Sequence, residues 1–190
     1  MDSGFRFAAI DVGSNAIRLL FTRVIEGKKN KPFFIKESLI RMPLRLGHDA
    51  FTKGTISKHN CESFLNTLLG FKNLIEAYSP ISYRACATAA MRNAKNGIDL
   101  VHRVKEISGI DLEIITGQEE AGIILSRNIS QYLKNKKNYI HIDVGGGSTE
   151  LTIIASGTKQ TSKSFSIGSV RLLEGKVQKS YWEVMHAWIN

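Results

Sequence analysis

One short stretch of this chain is written twice. Phe7-Ala8-Ala9-Ile10-Asp11-Val12-Gly13 returns as Tyr139-Ile140-His141-Ile142-Asp143-Val144-Gly145, with Ile-Asp-Val-Gly identical. Each copy is an apolar run that ends on aspartate and turns on small residues. It then goes back through a second apolar run, Ala16 to Val24 in the first copy and Glu150 to Ile154 in the second. Extended runs joined by a short Gly/Ser/Asn turn form a β-hairpin. A further strand candidate follows each hairpin, Phe33 to Arg41 and Gln160 to Ile167. An identity in the same strand–turn–strand context predicts two lobes of similar build. The 190 residues suit two small lobes, given roughly 150 residues for an ordinary domain. The expected boundary falls in a helix around Ser126 to Lys136, giving a first lobe of residues 1–128 and a second of 129–190.

Between the copies, helix and strand alternate. Phe64, Leu65, Leu68, Phe71, Ile75 and Tyr78 recur at three- and four-residue steps, the spacing of one helix face. Ser79-Pro80 stops that helix, because proline disfavours helix at the residue before it. Ile81 to Cys86 reads as a strand, and Thr88 to Asn93 as a helical turn or loop. Leu100, Val101, Val104 and Ile107 mark a second helix closed by Gly109. Leu112 to Thr116 reads as a short strand and Gln118 to Leu133 as a third helix. This order predicts an α/β fold, a mixed sheet with helices on its faces. After Ile167 only two helical stretches follow, Val170 to Val177 and Tyr181 to Ile189. The second lobe is therefore expected to be incomplete, the chain being part of a longer protein.

Composition narrows the classes. Apolar residues make up 43% and charged residues 23%, which argues against disorder. No apolar run approaches the roughly 18 residues of a membrane-spanning helix. The start, Met1 to Arg6, lacks a signal peptide, so the expected location is the cytoplasm. Cys61 and Cys86 stand alone, which excludes a disulfide framework and a structural zinc site; both are expected as small core residues. Lys plus Arg is 26 against 17 Asp plus Glu, a formal charge of +9, and a field of that sign attracts polyanions. The only dense runs, Lys28 to Lys31 and Lys134 to Lys137, read as solvated loops.

The two turns carry the strongest chemical signal. Phosphate binding needs backbone N–H groups in a concavity and no bulky side chains in the way. Gly145, Gly146 and Gly147 supply this, with freedom to adopt positive φ, and Ser148 adds a hydroxyl. Gly13, Ser14 and Asn15 do the same in the first copy. Two such hairpins facing each other would grip one anion from both sides. Asp143 and Glu150, with Asp11 third, are candidate ligands for a hard divalent cation bridging protein to phosphate; the aspartates can equally cap their own turns. Glu119 and Glu120 open the third helix. Both suit a helix N-terminus, but adjacent helix residues point about 100° apart. One therefore faces the cleft and can activate a water, and spacing alone does not say which. Arg92, after a run of small residues, and Arg18 are candidate phosphate ligands. No Walker-type loop or dinucleotide fingerprint is present.

These residues together resemble the exopolyphosphatase and guanosine pentaphosphate phosphatase family. The likeness rests on Ile10 to Leu19, Ala87 to Ala94, Gly117 to Ala121, Ile142 to Glu150 and Ile167 to Leu172, five blocks in the family's order. It implies a ribonuclease-H-like, actin-type fold of two lobes with the active site between them. It also implies magnesium-dependent hydrolysis of the terminal phosphoanhydride of polyphosphate, or of the 5′ γ-phosphate of guanosine pentaphosphate. By the family's motifs Glu120 is the water-activating base, Asp143 and Glu150 hold the cation, and Ser14, Asn15, Arg92, Gly146, Gly147 and Ser148 bind phosphate. Ala89 departs from the serine common at that place.

Three other readings compete: a small-molecule kinase or ATPase of the same superfamily, a nucleic-acid binder, and an inactive fragment. The chain lacks basic stretches interleaved with stacking aromatics, which argues against the nucleic-acid reading. The expected partner is thus the phosphate-chain substrate, with no membrane association and with homodimer formation left open.

Overall fold

The computed structural model describes residues 4–27, 32–126, 137–155 and 158–190. The first lysine run, all but Lys137 of the second, the expected lobe boundary and the 127–133 part of the expected third helix lie outside these residues.

The first hairpin is β1 (Phe5–Val12) and β2 (Ile17–Glu26), and β3 (Pro32–Met42) pairs antiparallel with β2. Pro32, which has no N–H for a ladder, opens this edge strand. β4 (Ser82–Ala87) lies parallel to the other side of β1, and β5 (Leu112–Ile114) lies parallel to β4. The order β3-β2-β1-β4-β5 is that of a ribonuclease-H-like sheet, and the mixed α/β architecture and actin-like fold expected from the sequence are present. In the second lobe β6 (Tyr139–Val144), β7 (Thr149–Ala155) and β8 (Thr158–Phe165) repeat the arrangement of β1 to β3. Asp143 stands opposite Glu150 in that ladder, where Asp11 stands opposite Arg18 in the first.

Helices cover the first sheet as the apolar spacing requires. α1 (Leu46–Thr52) precedes α2 (Lys58–Tyr78), which buries Phe64, Leu65, Leu68, Phe71 and Ile75. α2 ends at Ser79 in the left-handed conformation, φ 53°, just before Pro80. α3 (Ala89–Asn93) follows β4, and α4 (Gly97–Ser108) stops at Gly109, φ 70°. α5 (Gly117–Ser126) follows β5. The second lobe adds α6 (Ser169–Leu173) and α7 (Lys179–Ile189).

Three differences from expectation have local causes. α1 went unpredicted because its seven residues are too few to show a period. α6 ends early at Leu173, two residues before Gly175 at φ 63°, rather than running to Val177. β6 is not the buried strand its apolar residues suggest: Ile140, Ile142 and Val144 are about 60% exposed. Of the two cysteines, Cys61 is buried and Cys86 only half-buried.

The large core lies between the first sheet and α1 to α4 and includes Val170 of the second lobe. A smaller one joins Leu151, Phe165 and Ile167 to Tyr181, Met185 and Trp188 of α7. The large core thus spans the lobes and sets how they meet.

Candidate active site

The two turns are closed by the same bond. Gly13 N–H donates to the Ala16 carbonyl at 3.1 Å, and Gly145 N–H donates to the Ser148 carbonyl at 2.9 Å. They also touch each other. A Cβ on Gly146 would lie 2.9 Å from Ser14 Cβ and 3.5 Å from Asn15 Nδ2. A Cβ on Gly147 would lie 2.6 Å from both Ala89 Cβ and Phe51 Cζ. The glycines are therefore needed for close approach rather than for positive φ, since none of Gly13, Gly145, Gly146 or Gly147 adopts it. The positive φ expected of these glycines is absent, while the two turns do face each other like a pair of jaws.

Between the jaws lies a cleft of about 570 Å³. Gly13, Ser14 and Asn15 form one wall and Gly145 to Ser148 the other, with Asp11, Arg18, Glu120 and Asp143 also lining it. A second cavity of about 410 Å³ shares Ala89, Gly147 and Ser148 with it and carries Arg92. Arg92 reaches back from there to Glu120, at 3.3 Å. Glu150 lines neither space. It is 2% exposed and accepts a hydrogen bond from Ser164 Oγ at 2.6 Å.

The choice between the paired glutamates is settled locally. Glu119 accepts from the Thr116 N–H at 2.8 Å and from its hydroxyl at 2.9 Å, while Glu119 N–H donates to Thr116 Oγ1 at 3.1 Å. This reciprocal pair is a capping box. These bonds hold the Glu119 carboxyl below its ordinary range. Glu120, one residue further round the helix, enters the cleft. Burial, and then the negative charge of Glu150, push its carboxyl pKa up against the opposing Arg92. The Thr116-x-x-Glu119 spacing was a signal in the sequence that could have separated the two.

Two expected ligands neutralise one another. Arg18 donates to Asp11 at 2.8 Å, so the first-copy aspartate faces a cation where Asp143 faces a second carboxylate. Among the described residues no group of three His, Cys, Asp or Glu side chains gathers. Of the three expected metal ligands, Asp143 lines the cleft, Asp11 is committed to Arg18, and Glu150 is buried behind the wall on Ser164, out of the cleft. Magnesium keeps several waters and needs only one or two carboxylates beside substrate phosphate, so Asp143 in the cleft fits that ion.

Sequence reasoning missed Phe51 and Arg171 as site residues. Arg171 crosses from α6 to the first lobe. Its Nε–H donates to the Gly147 carbonyl at 2.7 Å, its terminal nitrogen donates to Asn93 Oδ1 at 2.9 Å, and its guanidinium lies 4.0 Å from the Phe51 ring centre. Nothing in periodicity marks such a side chain.

A repeated hairpin on a ribonuclease-H-like sheet, with its turns opposed across a cleft, defines a two-lobed, actin-like protein. The comparisons narrow this. A model of the Ppx/GppA phosphatase family matches residues 31–182, and the chain belongs to that family. Exopolyphosphatase 1 of Mycobacterium tuberculosis (strain ATCC 25618 / H37Rv) is 26% identical over 167 residues, 88% of this chain and 47% of the relative. Among solved structures, the Ppx/GppA enzyme of Aquifex aeolicus is 30% identical with a TM-score of 0.72, covering 91% of this chain and 56% of its own. An exopolyphosphatase from Cytophaga hutchinsonii ATCC 33406 is 27% identical with a TM-score of 0.75, covering 96% and 59%. The chain spans about half the length of the curated relatives it matches.

Proposed function

We propose that the cleft hydrolyses the terminal phosphoanhydride of a phosphate chain, with inorganic polyphosphate or the 5′ γ-phosphate of guanosine pentaphosphate as substrate. The observation that carries this reading is Glu120: one half-buried carboxylate, its pKa raised, lines the cleft whose walls are the two glycine turns. Phosphoryl transfer leaves a protein little to do beyond positioning and charge stabilisation. The turn amides and the Ser14 and Ser148 hydroxyls would hold the terminal phosphoryl group. Glu120 takes a proton from water as the water oxygen attacks phosphorus; the P–O bond to the next phosphate breaks and its electron pair leaves with the shortened chain. A raised pKa makes Glu120 a stronger base at neutral pH. Magnesium, held by Asp143, would neutralise phosphate charge when bound. Arg92 tethers the Glu120 carboxylate and supplies positive charge beside it. A cytoplasmic location belongs to the same reading; no described helix is long and apolar enough to cross a membrane.

The test is phosphate release by the chain from polyphosphate and from guanosine pentaphosphate, with and without magnesium, against ATP as control substrate. Release from either phosphate chain, greater than from ATP, supports the proposal. Transfer of phosphate from ATP to a small-molecule acceptor, without release from the chains, overturns it.

A further inference from the structure

The carbonyls of the second glycine turn are all held from one side. Ser169 N–H donates to the Gly145 carbonyl at 2.9 Å, and Val170 N–H donates to the Gly146 carbonyl at 2.9 Å. Arg171 Nε–H holds the third, that of Gly147. A trans peptide is planar, with its C=O and the following N–H pointing in opposite directions. Three consecutive carbonyls fixed toward α6 therefore turn three consecutive amides, those of Gly146, Gly147 and Ser148, the other way. Those amides make no backbone hydrogen bond among the described residues, and the residues that carry them line the cleft. The first two carbonyls are held by backbone, which any residue supplies. The third is held by a side chain, so the direction of the Ser148 amide depends on residue identity.

That side chain is anchored in the other lobe. Arg171 is 8% exposed, and every contact given above beyond Gly147 is with the first lobe: the Asn93 side chain on α3 and the Phe51 ring on α1. The planar fork of arginine lets one group meet two acceptors in fixed directions while stacking on a ring.

We propose that Arg171 is a positioning residue: by holding the Gly147 carbonyl it aims the Ser148 amide at the bound phosphoryl group, and through Asn93 it makes that aim depend on the two lobes being together. The inference rests on the phosphate reading of the cleft. Docking of the lobes and assembly of the anion cradle are then one event. Separation of the lobes removes the Asn93 anchor and frees the Gly147 peptide to rotate.

The test follows backbone amide resonances of isotopically labelled chain as sodium tripolyphosphate is added. In the wild-type chain the Gly146, Gly147 and Ser148 amides shift. In R171M the Ser148 response is lost and affinity falls about tenfold, the scale of one charge-assisted hydrogen bond, with the melting temperature within a few degrees of wild type. N93A gives a smaller loss, and R171M/N93A binds no more weakly than R171M, since both substitutions break one linkage. R171K keeps the charge but not the fork, and binds like R171M rather than like wild type. An unchanged Ser148 response and affinity in R171M overturns the inference. If R171M does not fold, wild-type binding by both R171K and N93A overturns it equally. Silence of all three amides in the wild-type chain is a different failure. It removes the phosphate reading itself, and the role of Arg171 with it.

Discussion

At the residue scale the neighbouring glutamates make opposite predictions. E120Q is expected to lower phosphate release by about 10²- to 10⁴-fold, the usual worth of a positioned base, while tripolyphosphate still binds. E119Q is expected to leave turnover near wild type and to weaken only the cap. Stability adds a check with a definite sign. A carboxyl whose pKa rises on folding favours the folded state in its protonated form. That contribution is full below the unfolded value and lost as pH rises through the raised one. E120Q, which cannot ionise, should therefore melt above the wild type at about pH 8, the difference closing below about pH 4. Thermal melts at the two pH values decide it. Asp49 has the reverse sign. It is 2% exposed, and burial alone would raise its pKa. The Lys53 ammonium, both Ser57 donors and Asn60 together hold it well below the carboxylate range. Its stabilisation is present at neutral pH and fades as pH falls below about 4. D49N should cost about 3 kcal/mol at neutral pH, because it leaves buried donors and Lys53 without their charged acceptor. Denaturant unfolding across that range measures both effects.

At the element scale the turns are defined by what they cannot accommodate. A methyl group on Gly168 would sit 2.5 Å from the Gly146 carbonyl oxygen, a backbone atom held in place by α6. One on Gly147 would meet Phe51 and Ala89. G168A and G147A should each cost about 1–3 kcal/mol from overpacking. G109A would be strained instead by its dihedral, since open space surrounds it. Urea titration of the three variants orders them, and only the two turn variants should also lose tripolyphosphate affinity. The capping box of α5 works at this scale too. By committing Glu119 to the helix start it fixes the rotation that sends Glu120 inward.

For the whole molecule, what matters is how the lobes are held. A hydrogen bond between His48 Nδ1 and Glu174, 2.8 Å, crosses between them at the surface, and exposed contacts of this kind contribute under about 1 kcal/mol. Phe51 is 8% exposed and packs against both Arg171 and the Gly147 turn; truncating such a ring costs about 3 kcal/mol or more. Melts of F51A and E174A should therefore separate clearly. F51A loses stability and phosphate-chain affinity together, and E174A loses almost nothing.

The duplication, the strand order along the chain and the face of α2 were legible in the sequence because each depends on local chemistry: alternation, small-residue turns and helical periodicity. The family, too, was legible in its five motif blocks. Which glutamate enters the cleft was also written locally, in the spacing of Thr116 and Glu119, but the sequence could not say that Asp11 is taken by Arg18 or that Glu150 is buried behind the cleft. Each of those is fixed by a partner from another element. Arg171 is the extreme case, a single side chain whose meaning comes from Asn93, 78 positions earlier. Local patterning determines which elements form, and only the packing of two lobes across one core decides where their polar atoms point.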